Sequence, residues 1–584
     1  MPIQIRSPSD PTSASWPVRV ASACVALSAC LPFLLPFHRP PLQSFYQEWI
    51  AMLLGAGAFV ALGFAAAERR VETPRAAVLP LGLTIVIAVQ AALGRVEYWQ
   101  QGTLGALFLL WACAMLCVGH RLRRALGWEG FVALLAWSLF AGALAGAAIG
   151  AAQMSGWRLG GWLMPLASAR VYGNLGQPNH FADYLFLGLV SAVYLAVTRR
   201  LSTFAAAMAA LLLLVLLDFS GSRSAWLYLL VAAALAVAMH AGIRSPQTKR
   251  ALLWTCALLA AFGLVQWGAP LVAPDRYDVA STAGGRLAAE QAGVPIRLQR
   301  WHAALLMWRE APLLGAGFGS FAWHRFLQGG ALGRNLEPAV ADNAHNIAFQ
   351  VLAEFGLAGG ALAVLAAVFW LDSQRRVAPC VEKWWALVLL ATIAVHSLFE
   401  YPLWYAYFLG AFCLALGAAE DRPWRFRSTA LDRSAFLGAT VLAAWVLTTV
   451  PIDYRRLEEL TLAPRTAQRQ EQLLALHGKS LFTNLVEFDL SRTILPDESH
   501  LADKIALNGR AMRYLPKADV VYRQSLLLAL DGRRDEAFRQ WDLAAAAFPG
   551  EREAAIGLLR DLDSQGRAGV RPLVEYAASR SKEP

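Results

Sequence analysis

"RVYGNLGQPNHFADYLFLGLVSAVYLAVTRR", residues 170–200, decides how the chain is read. It opens with glycines, amides, a proline and a histidine, continues as an apolar run over 180–198, and ends in Arg199 and Arg200. A bilayer-spanning helix needs about 20 mostly apolar residues. Basic residues collect beside the cytoplasmic end of such a helix. One stretch therefore gives a span, its direction, and an uncharged polar mouth at the opposite end.

The same pattern recurs. Of 584 residues, 57% are hydrophobic and 16% charged, against roughly 45–50% and about 25% in soluble domains. The mean hydropathy is +0.43. The 21 tryptophans suit membrane–water interfaces. Thirteen apolar runs are expected to span: 17–37, 47–68, 76–94, 103–119, 129–152, 180–198, 201–218, 224–242, 251–272, 346–371, 384–399, 403–419 and 434–451. With the N-terminus inside, six successive cytoplasmic loops carry the basic residues, from Arg69, Arg70 and Arg75 to Arg422, Arg425, Arg427 and Arg433. The net charge of +11 therefore reads as topology rather than nucleic-acid binding. The seven cysteines contain no CxxC pair, so neither a zinc site nor a disulfide framework is indicated. The first run has no small-residue cleavage site and reads as a retained anchor.

The fold class is all-α: a polytopic membrane protein with about 13 transmembrane helices, a long outer loop and a small C-terminal helical domain. Three parts are expected: N-terminal spans (1–169), a membrane region (170–451) with the outer loop 273–345, and a helical tail (452–584). In the tail, "ADVVYRQSLLLALDGRRDEAFRQWDLAAAAFPG" (518–550) reads as two antiparallel helices around Gly532. Tyr522, Ala537, Trp541 and Pro549 fall where a tetratricopeptide-like hairpin has such residues. Such a tail recruits a partner or caps the active face.

This threading places every unusual polar stretch outside: the 170–180 mouth, "DFSGSRSAW" (218–226), the loop 273–345, "FEYPLW" (399–404) and the tail. The loop holds seven arginines (Arg276, Arg286, Arg297, Arg300, Arg309, Arg325, Arg334) and no lysine. A guanidinium fork suits phosphate oxygens; GC-rich codon usage also favours arginine. Arg223, among Ser220, Gly221, Ser222 and Ser224, either snorkels to headgroups or meets an anionic ligand. Residues 297–310 read as an interfacial helix whose shared face is Arg297, Trp301, Leu305 and Trp308. His345 stands where the loop enters a helix, with Gln350 and Glu354 following. It is either a cap or an imidazole able to take a proton near neutral pH. In the mouth, Asn174, Gln177, Asn179 and His180 crowd uncharged hydrogen-bonding groups at one helix end; Asn179 is also a competent N-cap. The loop's six acidic residues form no DxD pair, so a metal is not expected.

Together these segments resemble the O-antigen ligase superfamily, and "GNLGQPNHFA" (173–182) resembles the signature of its protein O-oligosaccharyltransferase branch. Arg223, Arg297 to Trp301, "PLLGAGFGSF" (312–321), "AHNIAFQVLAEFGLAGG" (344–360) and "HSLFEYPLWYAYF" (396–408) carry the rest. The resemblance implies an inner-membrane enzyme with a periplasmic active site. It would transfer a preassembled glycan from undecaprenyl diphosphate to serine or threonine hydroxyls of an acceptor protein such as a pilin, with inversion and without cofactor or metal. On this resemblance the histidine is His345 and the diphosphate-binding arginines are Arg223 and Arg297, with Arg300 competing for the second place. Gln177 and Tyr401, or Tyr405 one turn on, are substrate-binding, and Asn174, Asn179 and His180 are expected with Gln177 to hydrogen-bond a sugar or an acceptor peptide. A lipopolysaccharide O-antigen ligase and an O-antigen polymerase use the same donor and are the alternatives. A transporter fits poorly, because mid-span charges are few and no two-half symmetry is visible.

Overall fold

The computed structural model describes residues 15–65, 70–272, 282–283, 293–329, 340–375, 378–427, 430–567 and 569–580. Arg276, Arg286 and Arg334 of the arginine series lie outside them. The described chain is helical, apart from one short antiparallel ribbon that pairs Arg70–Thr73 with Trp424–Arg427. Each of the thirteen apolar runs falls largely in helix.

Among the described residues, nine helices are long and apolar enough to cross a membrane. Two of the expected spans share one of these, Trp99–Met154, a 56-residue helix interrupted at Gly127 (φ 74°). The break leaves pieces 99–126 and 128–154, each roughly 40 Å long at 1.5 Å per residue and so able to cross the ~30 Å core of a bilayer alone. Three runs form shorter helices, Thr203–Phe219, Val381–His396 and Ala406–Ala418. Ile347–Gln374 is broken at Gly356 (φ 60°), so the expected span 346–371 is two helical pieces.

The chain divides into two compact units. The first comprises residues 1–81, 108–291 and 364–448. Its centre is the helix of the opening stretch, Pro178–Val197, whose apolar residues run round the whole circumference and are buried. A helix apolar on all sides needs apolar cover on all sides. Thr203–Phe219, Ser224–Gly242, Pro246–Val272 and Val381–His396 provide it. Polar residues tie loops together elsewhere in this unit. Buried Glu420 accepts from the backbone N–H groups of Arg75 and Ala76, and Glu72 meets His120, Arg124 and Arg425. The arginine-rich loops read as cytoplasmic thus bond to one another.

The second unit comprises 82–107, 292–363 and 449–584. Its tail holds seven helices between Ala467 and Arg580 among the described residues. The expected hairpin is present as Ala518–Leu530 and Arg534–Ala547, turning at Gly532 (φ 76°). The Tyr522 ring lies 4.9 Å from that of Trp541, and its hydroxyl donates to the Phe548 carbonyl. No sequence signal foretells that an outer-loop helix, Phe321–Leu327, shares this core: fully buried Phe326 belongs to the same apolar cluster as Leu527, Trp541 and Ala544.

Candidate active site

In the first unit the polar mouth is built on the start of Pro178–Val197. Pro178 occupies the first helical position, where its missing N–H costs nothing. The cap is therefore Gln177, whose Oε1 accepts from the His180 N–H at 2.6 Å. This corrects the expectation that Asn179 caps the helix. Asn179 instead accepts from Arg170 (2.7 Å) and donates to Glu400 (2.8 Å). Arg170 also donates to the Ser220 carbonyl, and the Val171 N–H to that of Phe219. Three stretches distant in sequence thus meet: the mouth, the 218–224 bend and the "FEYPLW" turn.

Asn174 does not point the way expected. It is 3% exposed; its amide donates to the Leu34 and Trp162 carbonyls and accepts from the Met164 N–H. With Gln153, which bonds the backbone of Met164, Tyr172 and Gly173, it staples the loop before the helix. Both donors are engaged within the chain, so Asn174 shapes the mouth from behind.

His180 is buried among rings: Tyr405 at 4.8 Å, His396 at 5.4 Å, Phe408 at 5.5 Å and Tyr401 at 5.9 Å between centroids. Tyr401 and Tyr405 stack on each other, both half-exposed. One turn below His180, Asp183 meets His396 with Nδ1 and Oδ2 2.9 Å apart, both side chains at most 1% exposed. Arg223 sits half-buried at the N-terminal end of Ser224–Gly242 without capping it. One turn on, the Tyr228 ring reaches His396 at 6.2 Å.

In the second unit the arginine helix is Gly293–Glu310. Its Ala303, Ala304 and Met307 belong to a small buried cluster. Arg300 lies one turn before Ala303 and Ala304; Arg297 lies one turn before Trp301. The Trp301 ring stacks on Phe349 at 5.2 Å and 19°. Phe349 is one turn beyond His345, so this stack joins the helix of Arg297 and Arg300 to the helix that His345 precedes.

His345 is half-buried with φ 48°. A non-glycine residue in left-handed backbone is uncommon and concentrates at functional sites. Asn343 Oδ1 accepts from the His345 N–H, and Gln350 Oε1 from the Ala344 N–H at 2.7 Å. Asn346 accepts from Ala348 and Phe349, starting the helix.

The glycine-rich bend has a definite seat. Ala316 and Gly317 donate to the carbonyls of Ala353 and Glu354, while Leu357 and Ala358 donate back to Pro312 and Leu313. The break at Gly356 frees the groups that make this exchange. A Cβ at Gly315 (φ 74°) would lie 2.3 Å from the Glu354 carbonyl carbon, so only glycine fits. Gln90, fully buried, clasps both sides, donating to Leu314 and Glu354 carbonyls and accepting from Phe318; Arg95 adds a bond to Gly315. Sequence reading passed over Gln90, Asp183 and His396. The signal available was a polar side chain inside an apolar run.

Three family models match the chain. Residues 171–196 match "Protein glycosylation ligase", 207–364 match "O-Antigen ligase", and 384–558 match "Virulence factor membrane-bound polymerase, C-terminal". These segments hold the glycine-rich bend, the histidine loop, the tyrosine turn and the mouth from Val171 on, while Arg170, Gln153, Gln90 and Arg95 lie outside them. Over these segments the chain is similar to the O-antigen ligase superfamily and to its protein-glycosylation branch. A curated relative, the general O-oligosaccharyltransferase of Acinetobacter baylyi, is 25% identical over 481 residues, covering 80% of each chain. The chain is a membrane-embedded enzyme.

Proposed function

We propose that this glycan ligase transfers a preassembled oligosaccharide en bloc from undecaprenyl diphosphate to serine or threonine hydroxyls of periplasmic or pilin proteins. The reaction takes place at the periplasmic face of the inner membrane. What supports the reading most is the Trp301–Phe349 stack, which packs the arginine helix against the helix that His345 precedes. The three-part division 1–169, 170–451 and 452–584 is proposed with it.

In the reaction the bond from the anomeric carbon to phosphate oxygen breaks, and its electron pair leaves with the lipid diphosphate. The acceptor oxygen attacks the opposite face and inverts that carbon. His345 takes the hydroxyl proton, a contribution typically worth about 10²–10⁴-fold. Arg223 and Arg297, with Arg300 beside the latter, neutralise charge growing on the diphosphate. Gln177, Asn179, His180, Tyr401 and Tyr405 shape the binding mouth, held by Asn174. No cofactor or metal enters this scheme.

The test is reconstitution in liposomes with lipid-linked oligosaccharide, a pilin and EDTA. Transfer is expected to persist with chelator and to fall by about 10²-fold or more in His345→Ala. Strict dependence on magnesium or manganese, or an unimpaired His345→Ala, overturns the scheme. The polymerase-type match over 384–558 favours a second reading, in which a second lipid-linked glycan is the acceptor. Offering pilin, lipid A-core and lipid-linked glycan in parallel separates protein ligation from lipopolysaccharide ligation and from polymerisation.

A further inference from the structure

A continuous run of buried polar contacts leads from the glycine-rich bend to the histidine loop, all within the second unit. The Glu354 carboxylate is buried, 3% exposed, and faces the backbone N–H groups of Gly319 and Phe321. It also faces the side-chain amide of Gln350, one turn earlier on the same helix and equally buried. The other end of that amide, Oε1, accepts from the Ala344 N–H. Ala344 is itself fully buried and adjoins His345.

The direction of each bond is fixed by its neighbours. Backbone N–H groups can only donate, so the residue at 354 must accept from Gly319 and Phe321, and the residue at 350 must accept from Ala344. Between 350 and 354 one further donor is needed, and a glutamine amide provides donor and acceptor together. Two carboxylates at these positions face each other without a shared donor. An apolar side chain at 350 strands the buried Ala344 N–H without an acceptor. Nothing in the proposed transfer chemistry uses either residue directly.

We infer that Gln350 and Glu354 are positioning residues: they hold the Ala344–His345 backbone in its left-handed turn and thereby aim the imidazole at the acceptor hydroxyl. The inference rests on the reading of His345 as the group that takes the hydroxyl proton. It explains why a strained histidine persists at this point, because strained backbone endures only where its surroundings over-determine it. It also links the bend to the histidine: Gly319 and Phe321 grip Glu354 from the bend side, so its backbone and the imidazole move as one piece.

The test uses the full-length enzyme in liposomes. Gln350→Met, of similar length and without a hydrogen-bonding amide, is expected to lower kcat by about 10²-fold while KM for the lipid-linked donor stays within about twofold. In a His345→Ala background the same substitution is expected to produce no further loss, because residues acting through one group are not additive. Gln350→Glu alone is expected to be as impaired as Gln350→Met. The exchange Gln350→Glu with Glu354→Gln is expected to recover most of the activity. In it the carboxylate at 350 still accepts from Ala344, and the amide at 354 still accepts from Gly319 and Phe321 while donating to that carboxylate. Melting temperatures in detergent are recorded for each variant, and the exchange keeps the test decisive where Gln350→Met folds poorly. A wild-type kcat in Gln350→Met overturns the inference, as does a loss that multiplies with that of His345→Ala, or an exchange that recovers nothing. An unimpaired His345→Ala brings down the functional reading itself. A required His345 with a dispensable Gln350 brings down only this inference.

Discussion

Asp183 is the residue whose cost and use are most out of proportion. A carboxylate with no exposed surface, on a helix otherwise apolar on every side, survives only with a partner. His396 supplies one at 2.9 Å. The pair also links the signature helix to the turn that carries Tyr401 and Tyr405, since the His396 carbonyl accepts from the Phe399 and Glu400 N–H groups. Removing one partner leaves the other buried polar group unsatisfied, which typically costs about 1–3 kcal/mol. Asp183→Ala is accordingly expected to lower the melting temperature in detergent and to raise KM, by loosening the turn against His180. The double variant Asp183→Asn/His396→Gln, which buries no charge, is expected to melt higher than either single alanine variant. Equal melting of Asp183→Ala and wild type contradicts this account.

At the scale of elements, helices were legible and their interruptions were not. Hydrophobic runs separated by basic pairs announce spans because each local window holds the whole signal. The break at Gly356 is set instead by what docks there: four backbone bonds from residues 312–317, some forty positions earlier. Gln90 is invisible for the same reason, as its partners lie more than two hundred residues away. The tail shows this most clearly through Glu487, which is 2% exposed. It accepts from Arg510, from the Tyr98 hydroxyl and at His477, while Arg513 grips Glu97 with two bonds. Burial pushes the Glu487 carboxyl up, but Arg510, Tyr98 and His477 outweigh it, and the group titrates below the ordinary glutamate range. A carboxyl lowered in the folded state adds stability that is complete above its unfolded pKa of about 4.3 and disappears as pH falls through the folded value. Melting temperature is therefore expected to drop as pH is lowered through and below about 4.3. Glu487→Gln is expected to flatten that part of the profile and to melt lower at neutral pH. A Glu487→Gln profile parallel to that of wild type shows the carboxylate to be idle.

For the whole molecule, the sequence separates an outer loop from a soluble tail, whereas in the second unit they share one core. Trp323 and Phe326 of the loop pack into the cluster formed by Leu527, Trp541 and Ala544 of the tail. Composition hides this, because a short helix such as "FAWHRFL" has too few residues to display a period, and its apolar side chains find partners two hundred residues on. Burying one phenylalanine contributes about 1.5–3 kcal/mol, and the loop helix presents two large aromatics. The tail is then an integral wall of the unit that carries His345 and Arg297, rather than an appendage. Truncation after Leu462 is expected to leave the apolar helices able to insert in the membrane while exposing Trp323 and Phe326. Limited proteolysis of the full chain is expected to spare 320–328; in the truncated chain the same peptide bonds are expected to be cut rapidly and glycan transfer to be lost. Restoring residues 463–584 as a separate polypeptide is expected to return protection at 320–328 before it returns activity, because the core must close before His345 is held in place. A truncated chain that still resists cleavage there, and still transfers glycan, makes the shared core dispensable and returns the tail to the role of a partner-recruiting module.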